Sequence, residues 1–269
     1  MSPADGARTP RDIAAVAVVV PAHDEEALIG PCLAALATAA RAVSSQVAVA
    51  VSVVLDRCTD GTAAVVRDAV RRWWPRSAVA TLGNAVPRTI GELRTLGLDD
   101  ALRRLGLADL GRAWLLSTDA DTRVPPDWMR RHLRHAAAGA DAVAGTADLD
   151  SPHRLPPDVL CRYTALVDAG MAADAHTHVY AANLGVRADA FLEAGGFPAV
   201  AAGEEHALLA RLRAAGRHIV TPVDLRVRTS ARTRGRAVGG LADLLGSLGA
   251  PTPAPGPGPG EWPRTGALR

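Results

Sequence analysis

The sequence contains no lysine, so all 30 of its basic residues are arginine. This absence argues against several enzyme classes that depend on a lysine amine, among them P-loop nucleotide hydrolases, protein kinases and Schiff-base enzymes. Any phosphate group that the protein binds must therefore be neutralised by arginine.

Cysteine is also scarce. Cys32, Cys58 and Cys161 are widely spaced, and no CxxC pair is present to indicate a zinc site or a redox motif. We interpret the three as small buried or semi-buried side chains of a protein in the reducing cytoplasm.

Long apolar runs and aromatic residues are few. No run reaches the roughly 18 residues of a membrane span, and residues 1–12 lack the apolar centre of a signal peptide. We therefore expect a cytoplasmic protein without a transmembrane segment. The chain has only five Trp, two Tyr and two Phe, and its net charge is +2. We expect no nucleic-acid partner.

The composition indicates a single folded domain. The chain has 269 residues and is 48% hydrophobic, which is enough for one large core. We predict a flexible N-terminal segment over residues 1–12, a domain over 13–235 with halves at 13–125 and 126–235, and a C-terminal segment over 236–269. That last segment is rich in Pro and Gly, and we expect disorder from residue 251.

Apolar runs alternate with segments of helical spacing along the chain. The runs predict strands over 14–20, 47–55, 78–82, 113–117, 142–147, 181–186 and 219–222. Helical spacing predicts helices over 28–40, 62–74, 90–105, 128–138, 159–173 and 204–215. This alternation is typical of an α/β fold with a doubly wound, mostly parallel sheet and a binding crevice at the carboxyl ends of its strands.

The sharpest local signal is Asp119-Ala120-Asp121, which follows the predicted strand 113–117. Two carboxylates at this point can turn toward one site, and their hard oxygens suit Mg²⁺ or Mn²⁺. A cation held there would neutralise a diphosphate leaving group. The alternative is a solvated turn in which an aspartate caps the helix near Pro126.

A second acidic signal is Asp56, at the end of the predicted strand 47–55. A carboxylate at this rim can accept a hydrogen bond from a nucleobase N–H group or a ribose hydroxyl. We interpret the following Asp60, Gly61 and Thr62 as helix-capping and turn residues.

Five segments, in order, resemble the family 2 glycosyltransferases of the GT-A fold. They are 18–26 (VVVPAHDEE), 53–62 (VVLDRCTDGT), 91–97 (GELRTLG), 119–121 (DAD), and 195–197 with 203–205 (GGF and GEE). The resemblance runs from about Val16 to Thr229, and 183–187 also fits it. Four departures are His23 for an aromatic residue, Asp24 for Asn, Leu55 for the first of two acids, and Glu205 for the usual Asp.

The resemblance implies a donor site for a nucleotide-diphosphate sugar in the half 13–125 and an acceptor site in the half 126–235. The implied donor-site residues are Pro21, His23, Glu25, Asp56, Arg94, Asp119, Ala120 and Asp121. In this reading His23 packs against the base, Asp56 reads it, and Arg94 approaches the diphosphate. Asp121 and Asp119 bind Mg²⁺ or Mn²⁺, although Asp119 could instead hold the ribose.

The same resemblance implies that Glu205 is the catalytic base, which deprotonates an acceptor hydroxyl as it attacks the anomeric carbon. One displacement inverts that centre. The plainer interpretation of Glu204 and Glu205 is an acidic helix N-terminus. The acceptor could be a small molecule, a glycan or a lipid-linked hydroxyl.

Three other functions compete with this one. A retaining glycosyltransferase differs only in stereochemistry. A sugar-nucleotide nucleotidylyltransferase is disfavoured because the chain lacks lysine and a Gly-rich first loop. The third is a catalytically inactive nucleotide-binding or scaffold protein. The intact Asp56, Asp119 and Asp121 argue against it, and failure to bind a nucleotide diphosphate with Mn²⁺ would favour it.

Two polar clusters have open roles. His176 and His178 could contact an acceptor or a metal, but paired histidines on a loop more often do neither. The basic run from Arg226 to Arg236 could fold over the diphosphate as a lid or could be a solvated segment.

Overall fold

The computed structural model describes residues 12–75, 78–235 and 239–249. The strands are β1 (Ala15–Ala22), β2 (Ala48–Asp56), β3 (Val79–Asn84), β4 (Ala113–Ser117), β5 (Ala142–Ala144), β6 (Thr146–Asp150), β7 (Leu184–Arg187), β8 (Ile219–Val220) and β9 (Arg226–Ser230). The helices are α1 (Ile29–Arg41), α2 (Thr62–Trp73), α3 (Ile90–Leu105), α4 (Trp128–Ala137), α5 (Pro157–Ala169), α6 (Ala188–Glu193), α7 (Glu204–Ala214) and α8 (Leu241–Gly249).

Seven strands form the central sheet in the order β3-β2-β1-β4-β7-β5-β8. All neighbouring strands pair in parallel except at β7, which is antiparallel to both β4 and β5. The predicted α/β fold with a doubly wound, mostly parallel sheet is therefore confirmed. The strand order reverses between β1 and β4, and such a reversal opens a crevice at the carboxyl ends of the strands.

Both faces of the sheet are covered, which explains why its central strands are continuously apolar. Alternate residues of β1 enter opposite cores: Val16 and Val18 pack with α1, α2 and α4, whereas Ala17 and Val19 pack with α3, α6 and α7. A strand buried on both sides has no solvent-facing position that would select polar residues.

The second half of the chain departs from the prediction in several places. The predicted strand 142–147 is two strands, because the chain leaves the central sheet at Gly145 and β6 pairs in parallel with β9. The predicted strand 219–222 is not the last one, since Arg226 and Arg228 lie in β9. Helices α6 and α8 were not predicted, and the strand predicted at 181–186 begins as a 3-10 turn over Ala181–Asn183.

Helix α8 belongs to the C-terminal segment that was predicted over 236–269. Its Leu245 is buried against Val159 and Tyr163 of α5, in a small core separate from the other two. The predicted disorder from residue 251 and the predicted flexibility of 1–12 concern residues that lie, except for Asp12, outside the described ones. The domain boundaries therefore stay predictions. Among the residues that the structure describes, no helix combines the length and apolarity needed to cross a bilayer.

Candidate active site

A cavity of about 350 Å³ opens at the carboxyl ends of β1, β2 and β4. All the residues predicted for the donor site line it: Pro21, His23, Glu25, Asp56, Arg94, Asp119, Ala120 and Asp121. The start of α8 and the loop after β9 line it as well, through Arg232, Gly235 and Gly240. Glu205 is not among the lining residues.

The loops after β1 and β2 are joined by hydrogen bonds that shape one wall of the cavity. Asp24 has a φ of 50°, in the left-handed region that side chains seldom adopt, and its carboxylate accepts a hydrogen bond from the Thr59 amide at 2.7 Å. The Glu25 amide donates to Thr62 Oγ1 at 2.7 Å, and the Gly61 amide donates to Glu26 at 3.1 Å. The acidic run 24–26 therefore anchors the next loop rather than pointing freely into solvent.

Asp56 lies at the base of this wall, and both of its carboxylate oxygens accept hydrogen bonds. Arg57 donates to both carboxylate oxygens at 3.1 Å, and Asn84 Nδ2 donates to Oδ1 at 2.7 Å. Burial tends to raise the pKa of Asp56, but these hydrogen bonds outweigh it and hold the pKa below its ordinary value. His23 Nδ1 contacts the Asp56 carbonyl oxygen at 2.6 Å. Because a carbonyl only accepts, Nδ1 carries the proton, which fixes the orientation of the ring.

Arg94 is buried at the back of the cavity and connects three elements. Its guanidinium donates to Asp119 Oδ1 at 2.7 Å, to Ser117 Oγ at 2.7 Å and to Glu204 Oε1 at 3.2 Å. The contact with Glu204 needs α3 to approach α7 closely, and Gly91 permits this: a Cβ there would lie 2.5 Å from the Pro198 carbonyl oxygen. Arg94 thereby links the end of β4 to the start of α7.

Asp121 is the most buried carboxylate of the acidic motif. Burial and the negative charge of Asp119 raise its pKa to about 6, although the positive charge of Arg232 opposes the shift. One Nη of Arg232 contacts Asp121 Oδ2 at 2.9 Å, and the other donates to Glu25 Oε1 at 2.7 Å. One arginine of the predicted basic run, Arg232, therefore contacts the acidic motif. Arg236, also in that run, lies outside the described residues.

Glu204 and Glu205 begin α7, after Gly203 in the left-handed conformation. Glu204 is buried and paired with Arg94, and burial together with this neighbouring carboxylate raises the pKa of Glu205 to about 7. The two adjacent acids therefore have different environments. Glu204 is a structural ion-pair partner, whereas Glu205 can exchange a proton near neutral pH.

The acidic motif suits a hard divalent cation. Asp119 and Asp121 supply carboxylate oxygens at the cavity, where Arg94 joins Asp119 to Glu204 and Arg232 joins Asp121 to Glu25. Within the described ranges, no three His, Cys, Asp or Glu side chains are arranged to hold a metal by themselves. Ligand oxygens would have to complete the coordination shell, as is usual for Mg²⁺ bound with phosphates.

Some residues near the site were missed. Asn84 and Arg88 line or support the cavity from the end of β3 and the loop beyond it, and a single polar residue at the end of an edge strand gives no signal in the sequence. His176 and His178 stack with each other, and His178 stacks on Tyr180, outside the cavity lining. Cys161 is exposed rather than semi-buried.

The comparisons with known proteins agree with this architecture. A mannosyltransferase from Pyrobaculum calidifontis, solved with GDP-Man and Mn²⁺, superposes with a TM-score of 0.63 and 22% identity, covering 87% of this chain and 62% of its own. TarS residues 1–349 from S. aureus, solved with UDP, gives a TM-score of 0.57 and 14% identity, with 81% and 61% covered. The chain thus spans about three fifths of the length of these proteins.

The search of curated proteins found no match. The sequence model of the Glycosyltransferase like family 2 matches residues 11–239, which include every element from β1 to β9. The predicted family is therefore confirmed, and the chain belongs to family 2 of the glycosyltransferases.

Proposed function

We propose that the protein transfers a sugar from a nucleotide-diphosphate sugar to an acceptor hydroxyl, with a divalent cation at Asp119 and Asp121. The observation that carries this proposal is the position of Arg94. It contacts Asp119 of the acidic motif on one side and Glu204, next to Glu205, on the other. The proposed diphosphate site and the residue next to the proposed base are therefore linked through one buried guanidinium group.

Each residue has a physically defined part in this proposal. Asp56, charged because its pKa is lowered, accepts hydrogen bonds from the base or ribose, and the fixed ring of His23 packs beside them. The cation, when bound, offsets negative charge on the leaving diphosphate. Glu205, with a pKa near 7, removes the proton of the acceptor hydroxyl as the hydroxyl oxygen attacks the anomeric carbon. A single displacement of this kind inverts the anomeric centre.

The solved relatives suggest which donors to test. The similar structures contain GDP-Man with Mn²⁺ in one case and UDP in the other, so guanosine and uridine diphosphates are the first probes. The acceptor side is not restricted by these observations to a small molecule, a glycan or a lipid-linked hydroxyl, because fold does not determine it.

Calorimetric titration of GDP and UDP, with and without Mn²⁺, tests the donor site. We expect one nucleotide to bind with Mn²⁺ and to lose at least about tenfold in affinity in Asp121→Ala, equivalent to about 1.4 kcal/mol. Asp68→Ala is the matched control, because Asp68 is exposed on α2 and lines no part of the cavity. If neither nucleotide binds to the folded protein, the inactive-scaffold function would be favoured instead.

The stereochemistry of the product tests whether the transfer inverts the anomeric centre. With the donor and an accepted hydroxyl compound, NMR of the new glycosidic bond should show inversion of the donor's anomeric configuration. Retention would assign the chain to the retaining mechanism and would remove the base role from Glu205.

A further inference from the structure

Arg232 occupies the acidic motif in the structure. Its two Nη atoms reach Asp121 Oδ2 at 2.9 Å and Glu25 Oε1 at 2.7 Å, and its side chain is 28% exposed. The guanidinium therefore joins the loop after β1 to the loop after β4. Asp121 is one of the two carboxylates to which the proposed function assigns a cation.

A guanidinium and a divalent cation compete for Asp121. A cation coordinates a carboxylate oxygen at about 2.0–2.6 Å, and Arg232 already lies on one of the two oxygens. Both groups are positive, so each weakens the binding of the other. A cation at Asp121 therefore favours the departure of Arg232.

The backbone near Arg232 is anchored, so this departure needs only the side chain. β9 ends at Ser230 and is held by its pairing with β6, and Thr229 Oγ1 contacts Thr122 Oγ1 at 3.0 Å. The Arg232 amide donates to Ser230 Oγ at 3.3 Å. From this fixed base the long side chain can turn within the cavity that it lines.

We propose that Arg232 is a built-in counter-ion that exchanges with the divalent cation at Asp121 and then pairs with the diphosphate of the donor. This rests on the proposed function of the cavity. With no cation bound, Arg232 pairs with Asp121 and Glu25. Of the two cavity arginines that contact the acidic motif, Arg94 is buried and Arg232 is partly exposed, and guanidinium groups pair well with phosphate oxygens.

The exchange predicts effects of opposite sign in one variant. Arg232→Gln removes the competitor of the cation, so Mn²⁺ alone should bind more tightly than to the wild type. The same variant loses a diphosphate partner, so the nucleoside diphosphate should bind more weakly at saturating Mn²⁺. If Arg232 only stabilised the fold, the Arg232→Gln variant would bind both Mn²⁺ and the nucleoside diphosphate more weakly than the wild type.

The experiment measures free Mn²⁺ by electron paramagnetic resonance in the full chain without nucleotide, then GDP and UDP binding by calorimetry at saturating Mn²⁺. For Arg232→Gln we expect Mn²⁺ affinity to rise at least about threefold and nucleotide affinity to fall about 10- to 100-fold, the loss of one charge-assisted hydrogen bond. Arg226→Gln is the control, since Arg226 lies on β9, pairs with exposed Asp148 and does not line the cavity.

Arg232→Lys keeps the charge and should return Mn²⁺ affinity to near the wild-type value, which also guards against a folding defect in Arg232→Gln. The exchange is overturned if Arg232→Gln leaves Mn²⁺ affinity unchanged or lowers it, or if neither protein binds Mn²⁺. If the wild type binds Mn²⁺ but neither nucleotide, the proposed function fails, and the Mn²⁺ comparison still decides the exchange.

Discussion

The end of β2 and the start of α7 each carry a carboxylate that has a part in the proposed function, and the pKa values of the two groups are shifted in opposite directions. At β2, hydrogen bonds from Arg57 and Asn84 keep the pKa of Asp56 below its ordinary value despite burial. At α7, burial and the adjacent Glu204 raise the pKa of Glu205 to about 7. A carboxylate that binds a ligand gains from permanent charge, whereas a base gains from a pKa near the working pH.

The largest effect should come from removing the base. Glu205→Gln keeps the size of the side chain but cannot accept the proton, so we expect kcat to fall about 10²- to 10⁴-fold with little change in nucleotide affinity. Steady-state sugar transfer with calorimetric binding checks this. Glu193→Gln is the control, because Glu193 is exposed at the end of α6. A kcat within twofold of the wild type would mean that another group takes the proton.

The pH dependence follows from the same raised pKa. Below about pH 7 Glu205 is increasingly protonated, so kcat should fall about tenfold per pH unit there and level off above. The charged groups around Glu205 are Glu204 on α7 and Arg94 on α3. In Glu205→Gln the fall of kcat below pH 7 should disappear. If kcat still fell there, a group other than Glu205 would be responsible for the pH dependence.

Stability should change with pH in a defined direction. The folded protein holds the Glu205 proton up to about pH 7, whereas the unfolded chain releases it near 4.5. The stabilisation that this proton provides is therefore complete below the unfolded pKa and is lost as pH rises through the folded pKa. Glu205→Gln should accordingly gain melting temperature relative to the wild type between pH 5 and pH 8. If the difference in melting temperature between the variant and the wild type were the same at pH 5 and at pH 8, the raised pKa of Glu205 would be contradicted.

The next largest effect concerns Arg94, which links the start of α7 to the end of β4. Arg94→Met leaves buried Glu204 without its partner, and breaking a buried pair typically costs about 3–5 kcal/mol of unfolding free energy. Urea unfolding measures this. The double variant Arg94→Met/Glu204→Met removes both charges and should be more stable than the single variant. Additive losses would show that the ion pair is not the source of the effect.

The smallest effect is expected at the end of β2. Asp56→Asn removes the charge that should receive the base or ribose, so nucleotide affinity should fall about 10- to 100-fold, or roughly 1.5–3 kcal/mol. Stability should change by less than about 1 kcal/mol, because the pair with half-exposed Arg57 is weak. Asp68→Asn on α2 is the control for calorimetry, and unchanged affinity in Asp56→Asn would remove Asp56 from the base-reading role.

The quality of the sequence prediction also differs along the chain. β1, β2 and β4 are buried along most of their length, so each appears as an apolar run, and their places were predicted to within two residues. The strands after Gly145 are short, and β6 pairs with β9, which has exposed arginines at alternate positions. Short strands outside the central core leave a weak pattern, because few of their residues are buried.

The order of strands and helices, the buried parallel sheet and the acids at the strand ends follow from local hydrophobic patterns and can be predicted from them. The charge and pairing of those acids depend on contacts between distant parts of the chain. Arg94 and Glu204 are 110 residues apart, and Arg232 and Glu25 are 207 apart. Burial and pairing across such separations set the pKa of Glu205 and bring Arg232 to Asp121, and no local pattern encodes either.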